Sequence, residues 1–400
     1  MKPVVALGFG NNVDYELEWS SSTLEAILDS FDIADAELLH EPKRIHTAKD
    51  LLISLMTFMQ SGKGGERFVE SIEPIKELAR HFKYKVTVGG TGPRAALALE
   101  SIGVGSHIHL VTMNAHVRGI LPEKCTWTCS ASQDDIFPHL IVQFNEGEQV
   151  RLGSHVVETR NSNRVIYVHD PDNEKMQIAE DFFDELTHAR VLLVSGFNAI
   201  HDRGWLEERL QKIRRLAAPS RKHLKVIYED ACFHNPSFNL LAASHMAGWC
   251  DIHSLNEDEL SEYVGTTIDL FDADQVANAL LSLRSRISSP TFVLHTKHWV
   301  LAYGDEAFEL EHSMREGMTL AATRVRCGDD LSPHAYRETE ALPEQPRSID
   351  FAKSIEARLK GEVCCVPAYK IQQAQMTTIG LGDAFIGGFI AGLIQQPIDT

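Results

Sequence analysis

Positive charge is scarce in this sequence: 38 lysines and arginines stand against 56 aspartates and glutamates, a formal charge of −18 over 400 residues. A surface of that sign repels nucleic acid and anionic lipid over most of its extent, which argues against a non-specific grip on either and for a small-molecule partner. Long apolar runs are missing too. The first, in "MKPVVALGFGNN", holds five apolar residues before glycine and asparagine interrupt it. That is too short for a signal peptide or a membrane span, and it reads as a first strand. The 7 cysteines show no metal-type spacing, and Cys364 and Cys365 are adjacent, the usage expected of a reduced, cytoplasmic protein. The 19 histidines are scattered, and His107 and His109, alternating in "HIHLVTM", read as one face of a strand rather than as ligands. No repeat, low-complexity tract or long linker divides the chain.

What is present is a globular composition, 44% hydrophobic and 24% charged, enough for one large core or for a core plus a smaller satellite domain. Short apolar runs, "ARVLLVSGF", "LKVIYED", "CDIHSL" and "TFVLHT", alternate with segments of helical spacing such as "DRGWLEERLQKIRRLA" and "FDADQVANALLSLRSRI". This alternation predicts a doubly wound α/β core with a mostly parallel sheet. Residues 15–47 and 123–180 read differently. There "HLIVQFNEGEQVRL" and "RVIYVHD" mix polar and apolar residues in hairpin fashion, as expected of a smaller β-rich sheet standing over the main one. The larger unit is expected to take residues 1–14, 48–122 and 181–400.

In open α/β sheets ligands collect at the carboxyl ends of the strands, where helix amino termini point free N–H groups outward. The segment "TTIGLGDAF" has that layout. Gly380 and Gly382 permit a tight turn and close backbone approach to a ligand, and Asp383 falls near the first turn of the next helix. Free N–H groups beside a carboxylate suit phosphoryl transfer, the carboxylate taking a proton from the attacking hydroxyl. A plain helix N-cap is the competing reading of Asp383. In "SLNEDEL", Asn256 and Glu259 are three residues apart and share a helix face, suited to a hydrated Mg²⁺ or simply to a capping box. Asn12 and Asp14 in "GFGNNVDYEL", Glu66 in "SGKGGERF" and the turn at Gly89 and Gly90 in "TVGGTGPRAALALESIG" offer hydrogen-bonding groups for sugar hydroxyls. A dinucleotide site is not expected, because "GFGNNVD" lacks the third glycine of that fingerprint.

Together and in order, these segments resemble the ADP-dependent glucokinase and phosphofructokinase family of the ribokinase-like superfamily. The resemblance runs through "GFGNNVDYEL", "SGKGGERF", "VGG", "SNRVIYVHDPDN", "VSGFN", "NEDE", "HTKHW" and "GLGDAF". It implies a ribokinase-like α/β core with a lid that closes over a sugar, and transfer of the β-phosphoryl group of ADP to a hexose hydroxyl with Mg²⁺. On that resemblance Asp383 is the catalytic base, and the backbone of Gly380, Leu381 and Gly382 is the anion hole. Glu259 and Asn256 order the metal, and Asp14 and Glu66 bind the sugar. "HTKHW" and "EGMTLAATRVRCGD" are similar to parts lining a nucleotide pocket. The chain departs from the family where Ile227 replaces the histidine of an HxE motif, leaving Glu229 for the metal, and where Thr91 and Pro93 enter the sugar-side turn.

Glucose is the favoured acceptor, because a carboxylate at Glu66 accepts from neutral hydroxyls but repels a sugar phosphate. Arg164, a lid cation or a plain ion-pair partner, leaves fructose 6-phosphate as the alternative. An ATP-dependent ribokinase-type carbohydrate kinase and a catalytically silent sugar or nucleotide binder are the others.

Overall fold

In the computed structural model the described residues are 4–395 apart from 32, 34–36, 38–40, 154, 234 and 373–378. Thr377 and Thr378 of the glycine-turn segment, and part of the 15–47 stretch, lie outside them. The first eight strands are β1 (Val5–Gly8), β2 (Asn12–Leu17), β3 (Gly65–Phe68), β4 (Tyr84–Gly89), β5 (His107–Leu110), β6 (Thr126–Cys129), β7 (His139–Phe144) and β8 (Gln149–Leu152). The second eight are β9 (His155–Glu158), β10 (Asn163–Val168), β11 (Val191–Val194), β12 (Lys225–Glu229), β13 (Ile252–Asn256), β14 (Thr291–His295), β15 (Trp299–Gly304) and β16 (Val363–Pro367).

Nine of them form the main sheet in the order β16-β15-β14-β13-β12-β11-β1-β5-β6. All its pairs from β14 to β6 are parallel, and β15 and β16 close one edge antiparallel. Helices cover both faces, so the central strands are largely apolar: "VALG", "VLLV" and "TFVLH" are buried at every position, the last with Thr291 and His295 at its ends. The order reverses at β1, which lies between β5 on one side and β11 on the other. That switch leaves a crevice at the strand ends. His107 and His109 are structural, as expected. The His107 ring nitrogens lie 2.8 and 3.0 Å from the Thr126 and Thr128 hydroxyls, and His109 Nε2 accepts from Ala179 N. Burial holds His109 neutral, its pKa pushed down to about 3.

The second sheet has the order β3-β10-β7-β2-β4. Its strands alternate. Leu140, Val142, Phe144, Val165 and Tyr167 bury against the helices Ser21–Ser30 and Ala48–Ser61 through Leu24, Leu28, Leu51, Leu55 and Met56. On the opposite face Asp14, Glu66, His139, Ile141, Arg164 and Ile166 line a cavity. The expected domain boundaries differ from this pairing. Residues 48–89, assigned to the larger unit, supply β3, β4 and the helix Ala48–Ser61 to the smaller one, and β2 starts it at Asn12. Within 123–180, β6 extends the main sheet instead. The chain crosses between the layers several times, and pairing between segments remote in sequence decides membership, which a reading by contiguous stretches does not see.

Candidate active site

A cavity of about 210 Å³ opens at the switch point, between the two sheets. Its floor comes from the turns after β1 and β11, at Gly10, Asn11 and Asn12 and at Gly196, Asn198 and Ala199. Its roof is the polar face of the second sheet. The C-terminal helix Leu381–Gln395 enters from the side, bringing Gly380 and Asp383 to the wall.

That helix begins at Leu381, so Asp383 sits inside its first turn and the residue before it is Gly380. The N-cap reading of Asp383 therefore does not hold: the cap position carries no side chain. Gly380 has φ 68°, and a Cβ on it would lie 2.8 Å from Arg94 Nη1 and 3.2 Å from Arg324 Nε. Only glycine suits both that conformation and that contact. A Cβ on Gly382 would stand 3.6 Å from His295 Cε1, ordinary contact, so the turn itself rests on Gly380. The Asp383 side chain is 22% exposed. Burial raises its pKa, opposed by Arg94, a hydrogen bond from Thr91 and Arg324. A carboxylate with raised proton affinity at the mouth of a helix dipole is suited to accept a proton.

Across the cavity Asp14 is held at both oxygens: Asn12 Nδ2 donates to Oδ1, and Arg94 Nη2 donates to Oδ2 at 2.7 Å. His139 Nε2 lies 2.9 Å from Asp170 Oδ2, with Nδ1 3.9 Å from Asp14 Oδ1. Burial works against the charge on this imidazole, but Asp170 and then Asp14 and Glu66 raise its pKa on balance. Glu66 and Arg164 reach the same space from neighbouring strands, β3 and β10. Burial lowers the pKa of Arg164, with Asp383 the main opposing charge. Gly90 lines the cavity with φ 92°. Gly89 does not line it, and matters because a Cβ there would lie 2.4 Å from the Asn12 amide.

On the far side of Asp383, at the ends of β12 to β14, Asn256 and Glu259 form a reciprocal capping box. Asn256 Oδ1 accepts from Asp258 N and Glu259 N, and Glu259 Oε2 accepts from Asn256 N at 2.8 Å. The cap reading is thus realised. Glu259 is also buried, its pKa pushed well up by burial and then by Asp230 and Glu229. The Ile227 side chain joins the core cluster, and the imidazole beside Glu229 comes instead from β14, His295 Nε2 lying 3.0 Å from Glu229 Oε1. The other oxygen, Glu229 Oε2, is buried with no hydrogen-bond partner among the described residues. A buried orphan carboxylate oxygen and a cluster of like charges fit a cation. Among the described residues no group of three His, Cys, Asp or Glu side chains forms a cage, so such an ion would keep waters and phosphate ligands, the habit of Mg²⁺.

Sequence reading missed Arg94, His139, Asn198 and His295. All four lie in segments quoted above, His295 in "HTKHW", but none was given a role of its own; Asn173 Nδ2 donates to Asn11 O and Asp170 Oδ2 and fixes the floor turn. Nothing local marks His139, whose partners lie on other strands.

A switch-point crevice with a helix-borne aspartate below a roof of carboxylates, amides and arginine is suited to bind a hydroxyl-bearing small molecule and to take a proton from it. The model of the ADP-specific phosphofructokinase/glucokinase conserved region matches residues 3–390. The chain belongs to that family and is an ADP-dependent sugar kinase. It is 23% identical to the ADP-dependent glucose/glucosamine kinase of Pyrococcus furiosus, over 96% of this chain and 94% of that one. It is 21% identical to the ADP-specific phosphofructokinase of Thermococcus kodakarensis, over 95% and 93%. A phosphofructokinase from Pyrococcus horikoshii OT3, solved with AMP, superposes with a TM-score of 0.78 at 17% identity, covering 99% of each chain.

Proposed function

We propose that this enzyme transfers the β-phosphoryl group of ADP to a hydroxyl of a hexose, glucose before fructose 6-phosphate, and releases AMP. The observation that carries the choice of acceptor is the pair of carboxylates, Asp14 and Glu66, on the roof of the cavity that Asp383 enters. Carboxylates accept hydrogen bonds from sugar hydroxyls and repel a sugar phosphate. Asp14, held by Asn12 and Arg94, orients the acceptor. Asp383 takes the proton of the attacking hydroxyl as that oxygen bonds to the β-phosphorus. The bond from phosphorus to the bridging oxygen breaks with its electron pair on AMP. N–H groups of the first turn of the C-terminal helix hold the phosphoryl oxygens. A Mg²⁺ ion held by Glu229 and Glu259 through water would neutralise charge on the diphosphate. Arg164 at the cavity favours the second reading, a phosphorylated acceptor such as fructose 6-phosphate.

The acceptor is tested by turnover with ADP on glucose and on fructose 6-phosphate, for wild type and Glu66→Ala. A hydrogen bond to a charged group contributes about 1.5–3 kcal/mol, so the variant should lose about tenfold to a hundredfold in kcat/KM for glucose while its use of fructose 6-phosphate holds or improves. Wild-type protein that phosphorylates only fructose 6-phosphate would reverse the assignment.

The metal site has its own test. Glutamine fills the capping-box position as glutamate does, so Glu259→Gln should stay folded and bind sugar normally. Its turnover should fall and its half-saturating Mg²⁺ concentration rise. An unchanged Mg²⁺ dependence in the folded variant would remove Glu259 from the metal site.

A further inference from the structure

The helix Thr91–Ser101 starts at the cavity wall with Gly90 as its cap residue and no side-chain cap. Arg94 lies in its opening turn, where the helix dipole disfavours a cation. The placement is nonetheless well built. The side chain is nine-tenths buried. Nη2 donates to Asp14 Oδ2 at 2.7 Å, with Glu16 Oε1 and the Thr87 hydroxyl each at 3.2 Å. Nε stands 3.9 Å from Asp383 Oδ2, and Nη1 lies against the Gly380 turn. Burial opposes its charge, and Asp14, Asp383 and Glu16 together outweigh it. One planar guanidinium therefore spans three structural units. Its own helix belongs to the main layer, Asp14, Glu16 and Thr87 to β2 and β4 of the second sheet, and Asp383 to the C-terminal helix.

We propose that Arg94 is a positioning residue that couples acceptor recognition to proton abstraction, bridging the sugar-binding Asp14 on the second sheet and the base Asp383 on the C-terminal helix. A rigid fork suits this task and a flexible ammonium does not, because two carboxylates on different elements must be held in fixed mutual geometry. A hydroxyl bound at Asp14 is thereby presented to Asp383, and the same cation restrains the proton affinity of that base. The other groups facing Asp383 are Thr91 on the Arg94 helix, Arg324 on the helix Glu311–Cys327, Arg164 on β10, His295 on β14 and Glu229 on β12. Of the three arginines, only Arg94 has an ion pair with both Asp14 and Asp383.

The inference rests on the sugar kinase reading but not on which sugar is used, so the assay takes whichever acceptor the wild type phosphorylates with ADP. Arg94→Met and Arg94→Lys are compared with wild type for kcat, KM and pH profile. Misplacement of reacting groups by about 1 Å costs about a hundredfold. Arg94→Met should lose about that in kcat, raise KM for the sugar and leave KM for ADP nearly unchanged. Its acid limb should move to higher pH, because Asp383 loses its nearest cation. Arg94→Lys keeps charge without the fork: it should hold the acid limb near its wild-type position while kcat stays depressed, and added guanidinium at millimolar concentration should partly restore Arg94→Met but not Arg94→Lys. A folded Arg94→Met with near-wild-type kcat and an unmoved acid limb would overturn the proposal, as would equal losses in both KM values without a pH shift. A wild type that phosphorylates no sugar with ADP would refute the kinase reading and this role together, an outcome distinct from a variant that matches an active wild type.

Discussion

Asp383→Asn is expected to give a folded, ligand-binding protein whose turnover falls at least about a hundredfold. The geometry separates this from a structural effect. Asp383 is inside the first turn of the C-terminal helix and Gly380 holds the cap position, so an amide at 383 loses no cap. What it loses of the dipole interaction is under about 1 kcal/mol. The proton balance acts the other way. The folded-state pKa of Asp383 is raised, chiefly by burial, so this carboxylate weakens the folded state as pH rises through the interval between its unfolded and folded values. Replacing it relieves that cost at neutral pH, and the melting temperature should hold or rise slightly. An amide cannot take the hydroxyl proton, and the loss appears in kcat. The wild-type acid limb should lie above the ordinary aspartate value of about 3.9, because activity needs the ionised form and disappears as pH falls through the raised pKa. The residual activity of Asp383→Asn should lack that limb. Near-wild-type turnover would remove the base.

Gly388→Ala is expected to destabilise the protein by about 3 kcal/mol, the upper end of the usual cost of overpacking, read from the denaturant midpoint. Glycine to alanine in a helix ordinarily gains about 1 kcal/mol, so the sign depends on space. The C-terminal helix is apolar along its buried length and is wedged between Thr91–Ser101 and Glu311–Cys327. A Cβ on Gly388 would lie 2.5 Å from Glu316 O and 2.8 Å from Gly317 Cα. These are backbone atoms and cannot rotate away. Gly387 and Gly392 meet Ala95, Ala98 and Ser313 just as closely. The seam fixes the depth and angle at which Asp383 reaches the cavity, so Gly388→Ala should also lower turnover in the fraction that stays folded. Gly119→Ala is the control, exposed on the helix Ala115–Ile120 with nothing near its Cβ, and should be neutral or stabilising. Equal effects at both positions would discard the seam argument.

Much of this was legible in the sequence because it is local. Buried parallel strands show as short apolar runs, and the glycine turn with its aspartate shows as "GLGDAF". Asn12, Asp14, Glu66 and Arg164 were each marked by their segments, and the cavity gathers all four. What was not legible depends on pairing across the chain. The partner of Arg94 lies 80 residues away, and that of His295 lies 66 away on another strand. Arg94 read as one residue of a small-residue helix, because nothing in "GGTGPRAALALE" shows that its first turn faces two carboxylates. The boundary between the layers was misplaced for the same reason. β3 and β4 are four and six residues long, and only their partners reveal which sheet they extend.

Transfer of the β-phosphoryl group of ADP to glucose is read by quantifying AMP and sugar phosphate together as purified wild-type protein acts on ADP, glucose and Mg²⁺, by phosphorus NMR in one tube. Glucose phosphate and AMP should rise in equal amounts, with far less product when ATP replaces ADP. Robust phosphorylation from ATP with ADP inert, or AMP formed without sugar phosphate, would contradict that transfer.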